Sequence, residues 1–244
     1  MDKGIGRTLL RNHTIKTNNI KTENYRLAYQ LNEKYKETLL KGNVHFRASI
    51  NSLSLISISE DRPELGVKCS LSKFKASNDI EALIKESLIK INLKSISENK
   101  PEKKLQAWII NDALTHQHQL PFNRDIKFIT SELAIKDEEG KVVTDILGFN
   151  VATNQLCVIE LKSDRLLTRL IEQVNNFEKI INKNPEFFSE LLAIHSYKWQ
   201  NELPNSVCKI VVWPHKITTS KKIDLDSNKI LEYTYQKDNK AYKF

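Results

Sequence analysis

Cysteine is scarce in this 244-residue sequence: Cys69, Cys157 and Cys208 are far apart, odd in number and without a CxxC spacing. Neither a disulfide framework nor a zinc knuckle is suggested, and the three read as reduced thiols packed as small hydrophobes. Only 6 glycines and 6 prolines occur, which excludes collagen-like and Pro/Gly-rich low-complexity chains. No apolar run approaches the roughly 20 residues that span a bilayer. Met1-Asp2-Lys3-Gly4 leads into polar sequence rather than the apolar core of a signal peptide, so a cytoplasmic, membrane-free setting is expected. A GxxxxGK[ST] phosphate loop is missing, as is a Gly-x-Ser-x-Gly elbow or a Cys/His pairing. ATP-driven and acyl-transfer chemistries are therefore not expected.

What the sequence does contain is a divided charge. Lys plus Arg total 38 and Asp plus Glu 30, a net +8. Residues 1–78 hold 14 basic and 7 acidic side chains, or +7, leaving 24 and 23, or +1, for residues 79–244. An excess confined to the first third favours a polyanionic partner such as nucleic acid. The wealth of Lys, Asn and Ile is also what AT-rich coding sequence produces, so charge alone leaves the partner open.

Periodicity divides the chain. Thr22 to Leu40 reads as an amphipathic helix ended by Gly42. Val44, Phe46, Ala48 and Ile50 alternate as a strand, with Leu53 to Ile58 as its hairpin partner. A second helix starts near Asp79. The polar stretch Ser95–Lys100 before Pro101 is the best boundary, giving a basic N-terminal part, residues 1–95, and a second domain, residues 96–244. Pro101 suits the first position of a helix whose buried stripe is Leu105, Trp108, Ile109 and Ala113. Glu102 lies on that inward side. An aromatic and lysine-rich C-terminal stretch reads as an edge hairpin, Ile230–Tyr235 turning near Asp238-Asn239, in preference to a single-strand stacking platform. His116 and His118 read as a solvated loop, and His195 and His215 as single residues without partners.

From Asp125 to Lys162 the period becomes two. Three strands, Asp125–Lys136, Lys141–Asn150 and Gln155–Lys162, are joined by turns at 137–140 and 151–154. If Lys136 faces Lys141, Glu132 faces Asp145; if Asn150 faces Gln155, Asp145 faces Glu160. Three acids then form a row across three strands, with Lys162 two residues beyond Glu160. Like charges so placed repel, and burying them costs several kcal/mol unless they are paired or bind a cation. A divalent ion held by oxygen ligands would offset both costs; the alternative is a solvated face with ordinary surface charges.

Thr144-Asp145, fourteen residues, then Glu160-Leu161-Lys162 resembles the signature of the PD-(D/E)XK nuclease superfamily. A helix precedes the three strands; another, roughly Leu166 to Ile181, follows with Gln173 and Phe177 at the spacing of a QxxxY element; an apolar strand, Cys208–Trp213, comes next. The likeness covers roughly residues 96–214 and is similar to archaeal-type mismatch and branched-DNA endonucleases. Thr144 stands in place of the motif's Pro and Phe177 in place of its Tyr, which removes a hydroxyl. Residues 1–95 match no pattern.

The resemblance implies an α/β, restriction-endonuclease-like αβββαβ core with a smaller mixed α+β N-terminal part. It implies a Mg²⁺-dependent endodeoxyribonuclease, with Mn²⁺ as a substitute ion. Asp145, Glu160 and the Leu161 carbonyl would hold the ion, Glu102 or Glu132 would add a carboxylate, and Lys162 would position water. Gln173 would orient the lysine or touch phosphate, and Arg165 and Arg169 would contact the nucleic acid. DNA is the expected partner, with RNA still open, and the N-terminal part would bind substrate or form a homodimer. Two other readings stand beside this one: an inactive nucleic-acid-binding module of the same fold, and a protein-interaction factor.

Overall fold

In the computed structural model the described residues are 22–70, 72, 74, 77, 79–94, 100–137, 140–163, 170–202, 205–215, 225–238 and 241–244. They form a mixed α/β structure around a seven-stranded sheet.

The N-terminal part opens with α1 (Glu23–Lys34) and α2 (Lys36–Lys41). The single helix expected from Thr22 to Leu40 breaks at Tyr35, whose φ of −111° and ψ of 23° are not helical. Strands β1 (Val44–Ser49), β2 (Ser52–Ser57) and β3 (Gly66–Cys69) follow as an antiparallel sheet. Helix α1 covers the open edge of β1. Asn32 donates to the Phe46 carbonyl and accepts from its N–H at 2.8 and 2.7 Å, replacing the missing neighbouring strand. Helix α3 (Ile80–Asn92) is capped by Asp79, whose carboxylate accepts from the Ala82 N–H at 2.8 Å.

Helix α4 (Pro101–Thr115) begins at the proline, as expected. Then come β4 (Gln119–Leu120), β5 (Asn123–Asp137), β6 (Gly140–Asn150), β7 (Gln155–Leu161), α5 (Leu170–Lys183), α6 (Pro185–Ile194), β8 (Val207–Pro214), β9 (Ile230–Asp238) and β10 (Ala241–Lys243). The strand order is β10-β9-β8-β7-β6-β5-β4, with β7, β8 and β9 parallel and the other neighbours antiparallel. Helices α5 and α6 make the crossover that a parallel β7–β8 pair requires. β10 is the edge strand, so the C-terminal stretch is the expected hairpin. Its Tyr242 and Phe244 rings pack on Trp108 at 5.4 and 6.0 Å, and Trp108, expected in the buried stripe of α4, is only partly buried beneath them.

The hairpin registers match those read from the sequence. Lys136 pairs with Lys141 and Asn150 with Gln155. The first turn is tighter than expected, because Asp137 also pairs with Gly140. Closing one more pair shortens the loop without moving the register.

Alternate residues of β7 divide between two buried clusters. Cys157, Ile159 and Leu161 join Leu105, Ile109 and Ala113 of α4. Leu156 and Val158 join Val174, Phe177 and Leu191 of α5 and α6, and that cluster runs on into Leu31, Phe46 and Leu55 of the N-terminal part. Phe177 is 1% exposed, which gives its lack of a hydroxyl a packing reason. All three cysteines are buried and free.

Candidate functional site

Strands β6 and β7 are paired as far as Ile146 and Ile159. Beyond that point side chains take over the ladder. Asp145 Oδ2 accepts from the Leu161 N–H at 2.9 Å, and the Thr144 hydroxyl donates to the Ile159 and Ile146 carbonyls at 3.3 and 3.1 Å. The Asp145 carbonyl is freed for helix α4, where Gln106 Nε2 donates to it at 2.7 Å. The strands thus part where the signature residues stand.

Alternation puts Glu160 and Lys162 on one side of β7, and Lys162 Nζ lies 3.4 Å from Glu160 Oε2. The chain leaving β7 is held by its backbone. The Lys162 N–H donates to the Val212 carbonyl at 2.9 Å, the Tyr235 hydroxyl donates to the Lys162 carbonyl at 3.3 Å, and the Ser163 N–H donates to Glu102 Oε1 at 3.2 Å. Glu160 is 3% exposed. Burial pushes its pKa well above the ordinary carboxylate range. The Asp145 charge and a shared hydrogen bond with Asp145 push it further, and Lys162 opposes. Two adjacent carboxylates cannot both ionise cheaply without a cation between them.

Glu132 keeps the expected register, lying between the pairs Ser131–Ile146 and Leu133–Thr144 that flank Asp145. Its φ of 52° is left-handed, and the bulge in β5 lies before it, between Phe128 and Thr130. Its carboxylate meets Lys103 and accepts from Gln106 Nε2 at 3.0 Å. Lys103 Nζ also lies 3.5 Å from Asp145 Oδ1, 3.3 Å from Gln106 Oε1 and 3.7 Å from Glu64 Oε1, and Glu64 is paired with Arg47 at 3.0 Å. Burial alone would lower the Lys103 pKa. Asp145, Glu132 and Glu64 together outweigh it and hold the ammonium above the ordinary lysine range.

The site therefore joins Lys162 to Glu160 by an ion pair, with Asp145 acting on Glu160 as its nearest like charge, Glu132 tied in through Lys103 and Gln106, and Glu102 through Ser163. The hydrogen bonds that define it do not include Gln173, which is exposed on α5. Arg165 and Arg169 lie outside the described residues. Sequence reasoning missed Lys103, Gln106 and Glu64. Gln106 carried a usable signal, since it follows Glu102 by one helical turn, and the structure buries it at 2% exposure; Glu64, on a connecting segment, carried none.

Among the described residues no group of three or more His, Cys, Asp or Glu is arranged for a metal ion. Mg²⁺ is commonly held by only one or two carboxylates. The hard oxygen donors of Asp145 and Glu160 fit an ion of that class, and Glu160, raised by burial first and by Asp145 second, is the group a divalent charge would ionise.

A second polar feature lies apart. A cavity of about 30 Å³ is lined by Tyr25, Tyr29, His45, His118 and His195 among others. The Tyr25 hydroxyl, both His45 nitrogens and His118 Nδ1 are buried there without hydrogen-bond partners among the described residues. His118 Nε2 pairs with Glu33 Oε1 at 2.9 Å. His118 and His195 are thus brought together, at 6.4 Å between rings, and are not isolated residues in solvent.

Compared with known proteins, the chain matches no family model and no curated protein. Among the described residues no helix is long and apolar enough to cross a membrane.

Proposed function

We propose that this protein is a metal-dependent endonuclease that hydrolyses DNA phosphodiester bonds, built on a PD-(D/E)XK-type core. In that reading α4, β5, β6, β7, α5 and β8 supply the αβββαβ order, and α6 is an addition to the crossover. The observation that carries the reading is the meeting of Asp145, Glu160 and Lys162 where β6 and β7 separate, with Lys162 Nζ 3.4 Å from Glu160. Asp145 has a structural use in its bond to Leu161, but placing Glu160 buried beside it sets two like charges together, which costs stability unless a cation joins them.

Asp145, Glu160 and the Leu161 carbonyl would hold Mg²⁺ or Mn²⁺. Bound there, the ion would polarise the phosphate and make water a better nucleophile. Lys162, tethered by Glu160 and by the backbone contacts to Val212 and Tyr235, would orient the attacking water. Its charge would favour the negative charge that grows on the phosphate oxygens. Glu102 would keep the segment after Lys162 in place through Ser163. The N-terminal part, residues 1–95, would bind the polyanion or a second copy of the chain.

The test is incubation of the full-length protein with plasmid in Mg²⁺, Mn²⁺ or EDTA, beside Lys162→Ala. Nicking that needs the divalent ion is expected. The variant should lose about 100-fold or more of the activity while retaining DNA binding in a gel-shift assay. A Lys162→Ala preparation free of contaminating nuclease that cuts as fast as the wild type would overturn the mechanism. DNA binding without cleavage in either metal would leave a binding module.

A further inference from the structure

One ammonium serves three carboxylates from two parts of the chain. Lys103 Nζ contacts Glu132, lies 3.5 Å from Asp145 Oδ1 and lies 3.7 Å from Glu64 Oε1. Glu132 and Asp145 stand on the main sheet. Glu64 comes from the connection between β2 and β3 of the small sheet, where its φ is 61° and Arg47 holds the same Oε1 at 3.0 Å. Asp145 meanwhile faces Glu160. Lys103, Arg47 and Lys162 face four carboxylates here, Glu64, Glu132, Asp145 and Glu160, and Lys103 sits on the very carboxylate a divalent ion would need.

We propose that Lys103 is the resident counter-ion of the carboxylate site and that Glu64 regulates it, as the partner that draws Lys103 off Asp145 when a divalent cation binds. The inference rests on the cation-binding reading above. A cation at Asp145 and Glu160 repels the ammonium. The four-carbon lysine stem lets Nζ move while α4 stays in place, and Glu64 is already within reach. Arg47 keeps Glu64 stationed, so the destination does not follow the departing charge. Glu64 and Lys103 are thus positioning residues, and the N-terminal part completes the site instead of merely flanking it. Any ligand that displaces the small sheet would return Lys103 to Asp145 and weaken cation binding.

The test uses the full-length protein without nucleic acid and reads Mn²⁺ affinity from the electron paramagnetic resonance signal of the free ion. Lys103→Met removes the competing charge and should tighten Mn²⁺ by about fivefold or more. Glu64→Gln leaves Lys103 only Glu132 and Asp145 as anionic partners, holds it nearer the cation, and should weaken Mn²⁺ by about threefold or more. In the double variant the Glu64→Gln effect should shrink to less than about twofold, because the residue acts through Lys103. Glu64→Asp, which keeps the charge, should restore much of the affinity. Should Lys103→Met fail to fold, Lys103→Gln makes the same comparison. An equal effect of Glu64→Gln in both backgrounds, or unchanged affinity on neutralising Lys103, overturns the proposal while leaving the metal site intact. A wild type that binds no Mn²⁺, or binds it undiminished after Asp145→Asn, overturns the cation reading and this inference with it.

Discussion

Asp145 closes the ladder to Leu161 with its side chain, Oδ2 accepting the Leu161 N–H at 2.9 Å. The carboxylate is thus a structural acceptor as well as a candidate ligand, and its second oxygen faces Lys103 at 3.5 Å.

Removal and conservative replacement of Asp145 should therefore differ. Leu161 is fully buried, so Asp145→Ala leaves its N–H without an acceptor and Lys103 with one fewer anion. We expect a loss of about 2–3 kcal/mol in urea denaturation without divalent ions. Asp145→Asn still offers an amide oxygen and should lose less than half as much. Equal losses would show that the hydrogen bond to Leu161 contributes nothing.

Glu160 should weaken the ion-free fold as pH rises. Its folded pKa lies well above the ordinary value, through burial first and Asp145 second, so the folded state holds a proton that the unfolded chain releases near 4.5. Its stabilising contribution is complete below that pH and is lost as pH climbs through the raised folded value. Glu160→Gln cannot ionise. In EDTA it should lose less stability than the wild type between about pH 5 and 8, measured by urea midpoints at each pH. Parallel curves would contradict the assignment.

His45 should act in the opposite direction. It is 3% exposed with no partner for either nitrogen among the described residues, and burial, aided by the Arg47 charge, lowers its pKa from 6.5 to about 3. Between those values the unfolded chain binds a proton the folded protein refuses. Stability present above 6.5 should fall on acidification, approaching about 1.4 kcal/mol per pH unit for this residue, and level off below about 3. His195, lowered by burial and by His118, adds to the same slope. His45→Phe, beside the Phe128 ring at 6.3 Å, should reduce the slope between about pH 6.5 and 5 by close to one proton. The check is chemical denaturation across that range, and an unchanged slope would refute it.

Much of the scaffold was legible because its signals are local. Pro101 announced α4, Asp79 announced α3, and the alternation around two turns gave the pairing of Lys136 with Lys141 and Asn150 with Gln155. Glu160 and Lys162 share a side of β7 because they are two residues apart. The break at Tyr35, the short strands β3 and β4, and helix α6 escaped the reading, since each is decided by packing against segments distant in sequence.

The carboxylate site divides along the same line. Period and turn length by themselves fixed which strands carry Asp145 and Glu160 and how they align, because hydrogen-bond register follows from neighbouring residues. Tertiary structure alone decided that Glu132 turns to Gln106, that Lys103 stands among three acids, and that Glu64 arrives from the other sheet. Coulomb attraction depends on distance in space, and no local pattern encodes which remote charge will close that distance.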